Sequence, residues 1–216
     1  MGVRLLVAVL VALVASPVAE AAKLRFRVTV EGHAEVAWQH QSSYMSHGCQ
    51  VTEEGAASQR LEFRSRLPKL ITARVAKGRI RSLEGTLGTL AGSLTGGGST
   101  TLTSCNQRTV ADCDLGPQAF TGATARLARP GSGVLRLSGF AADDLHWCAP
   151  PAALAPPEYP PLAFALGRVN EKRLLKRRTT VVTAEDERVT HLAAQGETGQ
   201  FTRQIGWELT FRRLSR

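Results

Sequence analysis

From Leu24 to Trp38 every even position is apolar or glycine: Leu24, Phe26, Val28, Val30, Gly32, Ala34, Val36, Trp38. The odd positions are charged or polar, apart from Ala37. Alternation of this length predicts a half-buried strand, because successive side chains point to opposite faces. Gly32 is expected to mark a bend or bulge within it. The C-terminal end repeats the pattern. Phe201, Ile205, Trp207, Leu209 and Phe211 share one face, Thr202, Gln204, Glu208, Thr210 and Arg212 the other. Arg203 alone interrupts the apolar side. Long first and last strands are therefore expected in the core, close to one another.

Shorter patterns fill the middle. Leu61, Phe63 and Ser65 lead to Leu67-Pro68, after which Ile71, Ala73 and Val75 resume the same parity. Proline cannot donate to a ladder, so that strand is an edge or is broken there. Residues 122–128 and 134–140 flank a Pro/Gly-rich turn and predict a hairpin. Residues 179–183 and 188–192 flank Ala184-Glu185-Asp186-Glu187 and predict a second. Residues 85–103 are rich in Gly, Ser and Thr and read as a loop or a flexible strand pair, with Leu87, Leu90 and Leu94 recurring. Residues 149–161 are proline-rich and read as a stiff connection. No clean amphipathic helix appears; Lys172 to Arg178 reads equally as one helical turn or as a strand entry. The fold class expected is mainly β: an antiparallel β-sandwich, Ig-like or similar, with a β-barrel as the alternative. One domain is expected over 22–216.

Composition locates the chain more than it defines a chemistry. Its 216 residues are 43% hydrophobic and 21% charged, an ordinary globular balance, with 27 Lys+Arg against 18 Asp+Glu for a net charge of +9. Arg4, the apolar run from Leu5 to Ala15 and the small-residue site Ala19-Glu20-Ala21 have the layout of a secretory signal peptide, cleaved after Ala21. An eleven-residue apolar run falls short of the ~20 that a spanning helix needs, so no transmembrane segment is expected after its removal. The protein is thus expected to be secreted, extracellular or cell-wall associated. In that compartment Cys49, Cys105, Cys113 and Cys148 read as two disulfides. Cys105 with Cys113 would close a short loop, leaving Cys49 with Cys148 as a long tie. A zinc site would need C-x-x-C pairs or suitably spaced His, and neither is present.

Enzyme motifs are missing: there is no G-x-S-x-G elbow, P-loop, G-x-G-x-x-G or H-E-x-x-H. His33-Ala34-Glu35 has H-x-E spacing, but no P-C-x-x-C follows. Asp144 and His146 would share a face in extended chain, where the carboxylate orients the imidazole. They form the one candidate acid–base pair, for a secreted hydrolase, yet no nucleophile or metal partner completes it. No catalytic residue, metal or cofactor is assigned. Lys172, Arg173, Lys176, Arg177 and Arg178 are five cations in seven residues. They predict a surface for a polyanion such as an anionic wall polymer or acidic polysaccharide. The competing reading is a charged strand edge that resists aggregation. Specific nucleic-acid binding is not expected, because no aromatic residues are interleaved. Trp38 and Trp207 fall on expected core faces, and Trp147 lies beside Cys148.

Taken together, the Ala-rich leader, the first strand ending in Trp38, Cys49 about ten residues later, the close Cys105/Cys113 pair and the closing GWELTFRR strand (206–213) resemble uncharacterised, secreted, disulfide-containing β-rich proteins of soil actinobacteria. That resemblance implies a β-sandwich outside the membrane and brings no catalytic residue with it. The function expected is a non-catalytic binding or structural module of the extracellular space or cell envelope.

Overall fold

The computed structural model describes residues 22–141, 145–155 and 165–214. The signal-peptide reading over 1–21, together with Asp144, lies outside them. Among the described residues eleven strands and one short helix follow in order: β1 (Ala22–Ser46), β2 (Cys49–Ser65), β3 (Lys69–Ala76), β4 (Arg79–Leu83), β5 (Gly85–Ser104), β6 (Gln107–Asp114), β7 (Gln118–Gly131), β8 (Val134–Ala141), β9 (Leu166–Arg168), α1 (Glu171–Lys176), β10 (Thr179–Ala194) and β11 (Glu197–Arg213). The fold is mainly β and antiparallel. The strands hydrogen-bond into one sheet along the path β10-β11-β1-β2-β5-β7-β8-β9, with β3, β4 and β6 branching from it. That sheet curls into a half-barrel, a shape compatible with sandwich and barrel descriptions alike. At the end of the path β9 reaches β10, where Gly167 lies against Trp207 and the Thr183 carbonyl.

The alternation read in the two terminal strands sets the core. β1 pairs with β11 from Phe26↔Arg213 to Ser42↔Glu197. Phe26, Val28, Val30, Ala34, Val36 and Trp38 are buried beside Phe201, Ile205, Trp207, Leu209 and Phe211. Gly32 causes no bulge, since the register runs through it unbroken on both sides. It serves close approach instead: a Cβ there would lie 2.5 Å from the Gly206 carbonyl oxygen and 2.6 Å from the Phe63 ring. Arg203 stays on the inner face because Asp186 reaches its Nη2 at 2.8 Å. The strand pattern is interrupted at Leu67-Pro68, between β2 and β3.

Two stretches depart from the sequence pattern. Residues 85–104 are neither loop nor strand pair but the single strand β5. A register shift between Leu87 and Leu90 restores both leucines to the core, so the apolar period is broken in sequence and kept in space. The hairpin expected around residues 184–187 is absent; β10 runs straight through and turns only at Gln195-Gly196. Acidic residues are tolerated there because β10 is an edge strand. Of the two readings of the basic run the helical one holds, since Lys172 to Lys176 lie in the short helix α1.

The upper halves of β10, β11, β1, β2 and β5, together with β6, extend as a wing beyond the curled body. β5 changes partner along its length, pairing β7 over Gly85–Leu94 and β6 over Gly97–Ser104. Gly96 is at the change-over with φ of +136°, and a Cβ there would lie 2.2 Å from the Ser58 carbonyl oxygen. A strap, residues 145–155, covers part of the wing's inner face. The Cys148 carbonyl accepts from Trp38 Nε1 (3.0 Å) and Gln59 Nε2 (2.8 Å), while its N–H donates to Gln59 Oε1 (2.7 Å). Leu154 packs onto Gly199.

All four cysteines are oxidised, but their pairing corrects the expectation. The bonds are Cys49–Cys105 and Cys113–Cys148, with Cα separations of 5.5 and 5.8 Å. Register is the cause. Cys105 sits in the two-residue turn before β6, whereas Cys113 pairs with Gly98 at its far end. At about 3.4 Å per residue that is roughly 20 Å, against the ~7 Å limit for a disulfide. Val51↔Ser104 pairing instead brings the β1–β2 and β5–β6 turns side by side. No helix among the described residues is long and apolar enough to cross a membrane.

Candidate polyanion-binding surface

Helix α1 carries the first part of the basic run, and its short length means tertiary contacts must hold it. Asn170 caps it, its side-chain oxygen accepting from the Arg173 N–H at 3.1 Å. Leu174 is buried in the core. Glu171 fastens the first turn to the body. Its Oε1 accepts from Arg129 Nη2 (2.6 Å), Arg129 Nε (3.1 Å) and the Gly133 N–H (2.9 Å), and its Oε2 from the Ile80 N–H (3.3 Å). Both side chains of this ion pair are mostly buried, 15% and 13% exposed. Burial raises the Glu171 pKa, but the Arg129 hydrogen bond, the Gly133 and Ile80 amides and the Arg129 charge outweigh it and hold the carboxyl below its ordinary value.

This anchoring presents Lys172, Arg173, Lys176, Arg177 and Arg178 to solvent, all exposed. The charged-edge reading does not fit: three of the five are helical, and none lies in a strand. The structure adds cations that are distant in sequence. Arg213 donates through its N–H to the Arg178 carbonyl (2.8 Å) and through Nη1 to that of Leu175. Leu214 donates to the Arg25 carbonyl (2.9 Å). On the sheet's outer face Arg27 stands opposite Arg212, and Lys23 opposite Arg74. Lys77 and Arg79, in the β3–β4 hairpin, line an open depression of about 660 Å³ with Glu171 and Lys172.

Among the described residues, none of the five run cations, nor Lys23, Arg25, Arg27, Arg74 or Arg212, makes an ion pair with a carboxylate. Like charges directly opposite one another destabilise a strand pair. A surface that keeps two such pairs and leaves its cations without counter-charges can hold anions at several points at once. The run itself was visible in sequence. Arg27 and Arg212 were not, because only the β1–β11 register brings them together.

The other candidates do not assemble. His146 is exposed, its backbone held by Gln118 through two hydrogen bonds of 2.9 and 3.0 Å. Asp144 lies outside the described residues. Glu35, next but one to His33, is tied to Arg60 at 2.6 Å. His40 is buried on the wing's inner face and His47 is exposed in the β1–β2 turn. No three His, Cys, Asp or Glu side chains converge among the described residues. A second open depression, about 790 Å³, lies on the wing's outer face and is lined by polar groups including Gln39, Gln41, Gln200 and Thr101, with Glu54 and His191 among them. No protein-family model matches the chain, and no curated protein matches it.

Proposed function

We propose that the protein is an exported, non-catalytic module that binds anionic wall polymers or acidic polysaccharides through its cationic end. The observation that carries this reading is the gathering of Arg27, Arg212 and the exposed Lys172–Arg178 run at one end without carboxylate partners. Export is supported by the leader-like sequence before Ala22 and by two disulfides, which persist in oxidising compartments. The resemblance to secreted β-rich proteins of soil actinobacteria belongs to the same proposal. Binding of this kind is electrostatic and weakly specific. Retention on immobilised heparin or wall teichoic acid should therefore fall steeply with salt, as the Debye length shrinks from about 10 Å at 0.1 M to about 3 Å at 1 M. The double variant Arg177→Gln, Arg178→Gln should elute at clearly lower salt while keeping its fold. Retention equal to that of the unmodified protein would remove the proposal.

A further inference from the structure

We infer that β6 is a self-association edge, pairing antiparallel with the β6 of a second copy of this chain about a two-fold axis at Val110. On one side β6 bonds to β5; among the described residues nothing pairs with its other side. Gln107 to Asp112 are all exposed, and Val110, an apolar residue, is 49% exposed. Of the usual guards of a free edge, β6 lacks proline, lysine and any register shift, and its charges, Arg108 against Asp112 and Asp114, are of opposite sign and so can complement those of a second copy.

The bonding parity of this edge is fixed by its turn. Ser104 and Gln107 flank a two-residue turn and form its hydrogen-bonded closing pair. Bonded and non-bonded pairs then alternate along the ladder. Gln107, Thr109, Ala111 and Cys113 therefore direct their backbone groups to β5, and Arg108, Val110, Asp112 and Asp114 direct theirs outward. A second strand can dock only in registers that place outward-directed residues opposite each other.

Charge selects among those registers. With Val110 opposite its own copy, Arg108 faces Asp112 on both sides of the axis, and the two valines stack. Sliding the pair so that Arg108 faces Asp114 sets Val110 against Asp112. Sliding the other way sets Arg108 against Val110 and shortens the overlap. The opposite edge of the wing is a poor antiparallel partner. There Glu187, Val189 and His191 are directed outward, so Val110 on Val189 would put Asp112 against Glu187 and Arg108 against His191. The complementary occupant is a second β6. Because the strands are antiparallel, the dimer carries its two cationic ends at opposite extremes.

Sedimentation of the purified protein from micromolar to millimolar concentration tests this directly. The expected result is a reversible monomer–dimer equilibrium. Val110→Pro removes an N–H that β5 does not use and should abolish the dimer. Arg108→Asp or Asp112→Arg alone should weaken dimerisation at least tenfold, and the two together should restore it by exchanging the charges. Val189→Pro, on the far edge, should leave it unchanged. A monomer at every concentration overturns the inference. So does a dimer that tolerates Val110→Pro, fails to respond to the charge exchange, or is lost with Val189→Pro.

Discussion

The two halves of β5 are held in different ways. From Gly85 to Leu94 the strand pairs β7 and buries Leu87, Leu90 and Leu94 completely. From Thr95 onward it pairs β6, carries Gly96, Gly97 and Gly98, and buries no side chain fully. The whole molecule divides along the same line. In the body, stability comes from a packed apolar interior; in the wing it comes from backbone ladders, the strap and covalent links. Both disulfides lie in the wing, one joining two turns at its tip and the other tying β6 to the strap. Disulfides are most useful where a core is too thin to hold the chain.

Removing one large core side chain from each region gives the strongest test of this contrast. Trp207 is 3% exposed, donates to the Ala165 carbonyl at 2.9 Å and supports β9 through Gly167. Trp207→Ala should cost about 3–5 kcal/mol and lower amide-exchange protection throughout. Trp38→Ala should instead concentrate its loss of protection in the wing and strap, because the ring holds Cys148. Equal, molecule-wide losses for both variants would erase the distinction.

Next in size is the strap. Replacing Cys113 and Cys148 by Ser opens a link spanning 35 residues and should cost about 2–4 kcal/mol. The effect should appear as early opening of the wing, in a denaturant titration followed by exchange, while body amides stay protected until the main transition.

The smallest expected effect lies on the body's side. Glu171→Gln leaves Arg129 partly unpaired and should cost about 1–3 kcal/mol. Its pH dependence has a fixed sign. The folded pKa is lowered, so the carboxylate's contribution is complete above the ordinary value of 4.5 and is lost as pH falls through the lowered one. The stability gap between the unmodified protein and Glu171→Gln should therefore narrow below pH 4.5 in thermal melts. A gap that widens on acidification would contradict the anchoring role.

The body was far more legible in sequence than the wing, and the reason is physical. Alternation reports burial, so β1 and β11, with a core beneath them, announced themselves from Phe26 to Trp38 and from Phe201 to Phe211. The upper part of β5 offers Gly96, Gly98 and Thr100 to the inner face and gives no such signal. The irregularity between Leu87 and Leu90 hid even its buried half, because one extra step changes the face on which the next leucine falls. β10 looked like a hairpin because Glu185, Asp186 and Glu187 resemble a polar turn, although an edge strand accommodates them. Pairing of the cysteines and of Arg27 with Arg212 depends on register between distant strands, which no local pattern contains. The run from Lys172 to Arg178 was legible because its cations are neighbours in the chain.

The pairing of β1 with β11 also determines how the molecule bears load. Phe26 lies opposite Arg213, so the two ends of this central pair emerge side by side, at the cationic end. Ladder bonds in an antiparallel pair run across the strands. Tension that draws Ala22 and Leu214 apart would therefore act along those bonds and open them one after another from Phe26↔Arg213, like a zip, rather than shearing the whole ladder at once. A force applied between the wing tip and the cationic end would instead load the ladder bonds in shear, many at once, so the resistance expected along that axis is the greater.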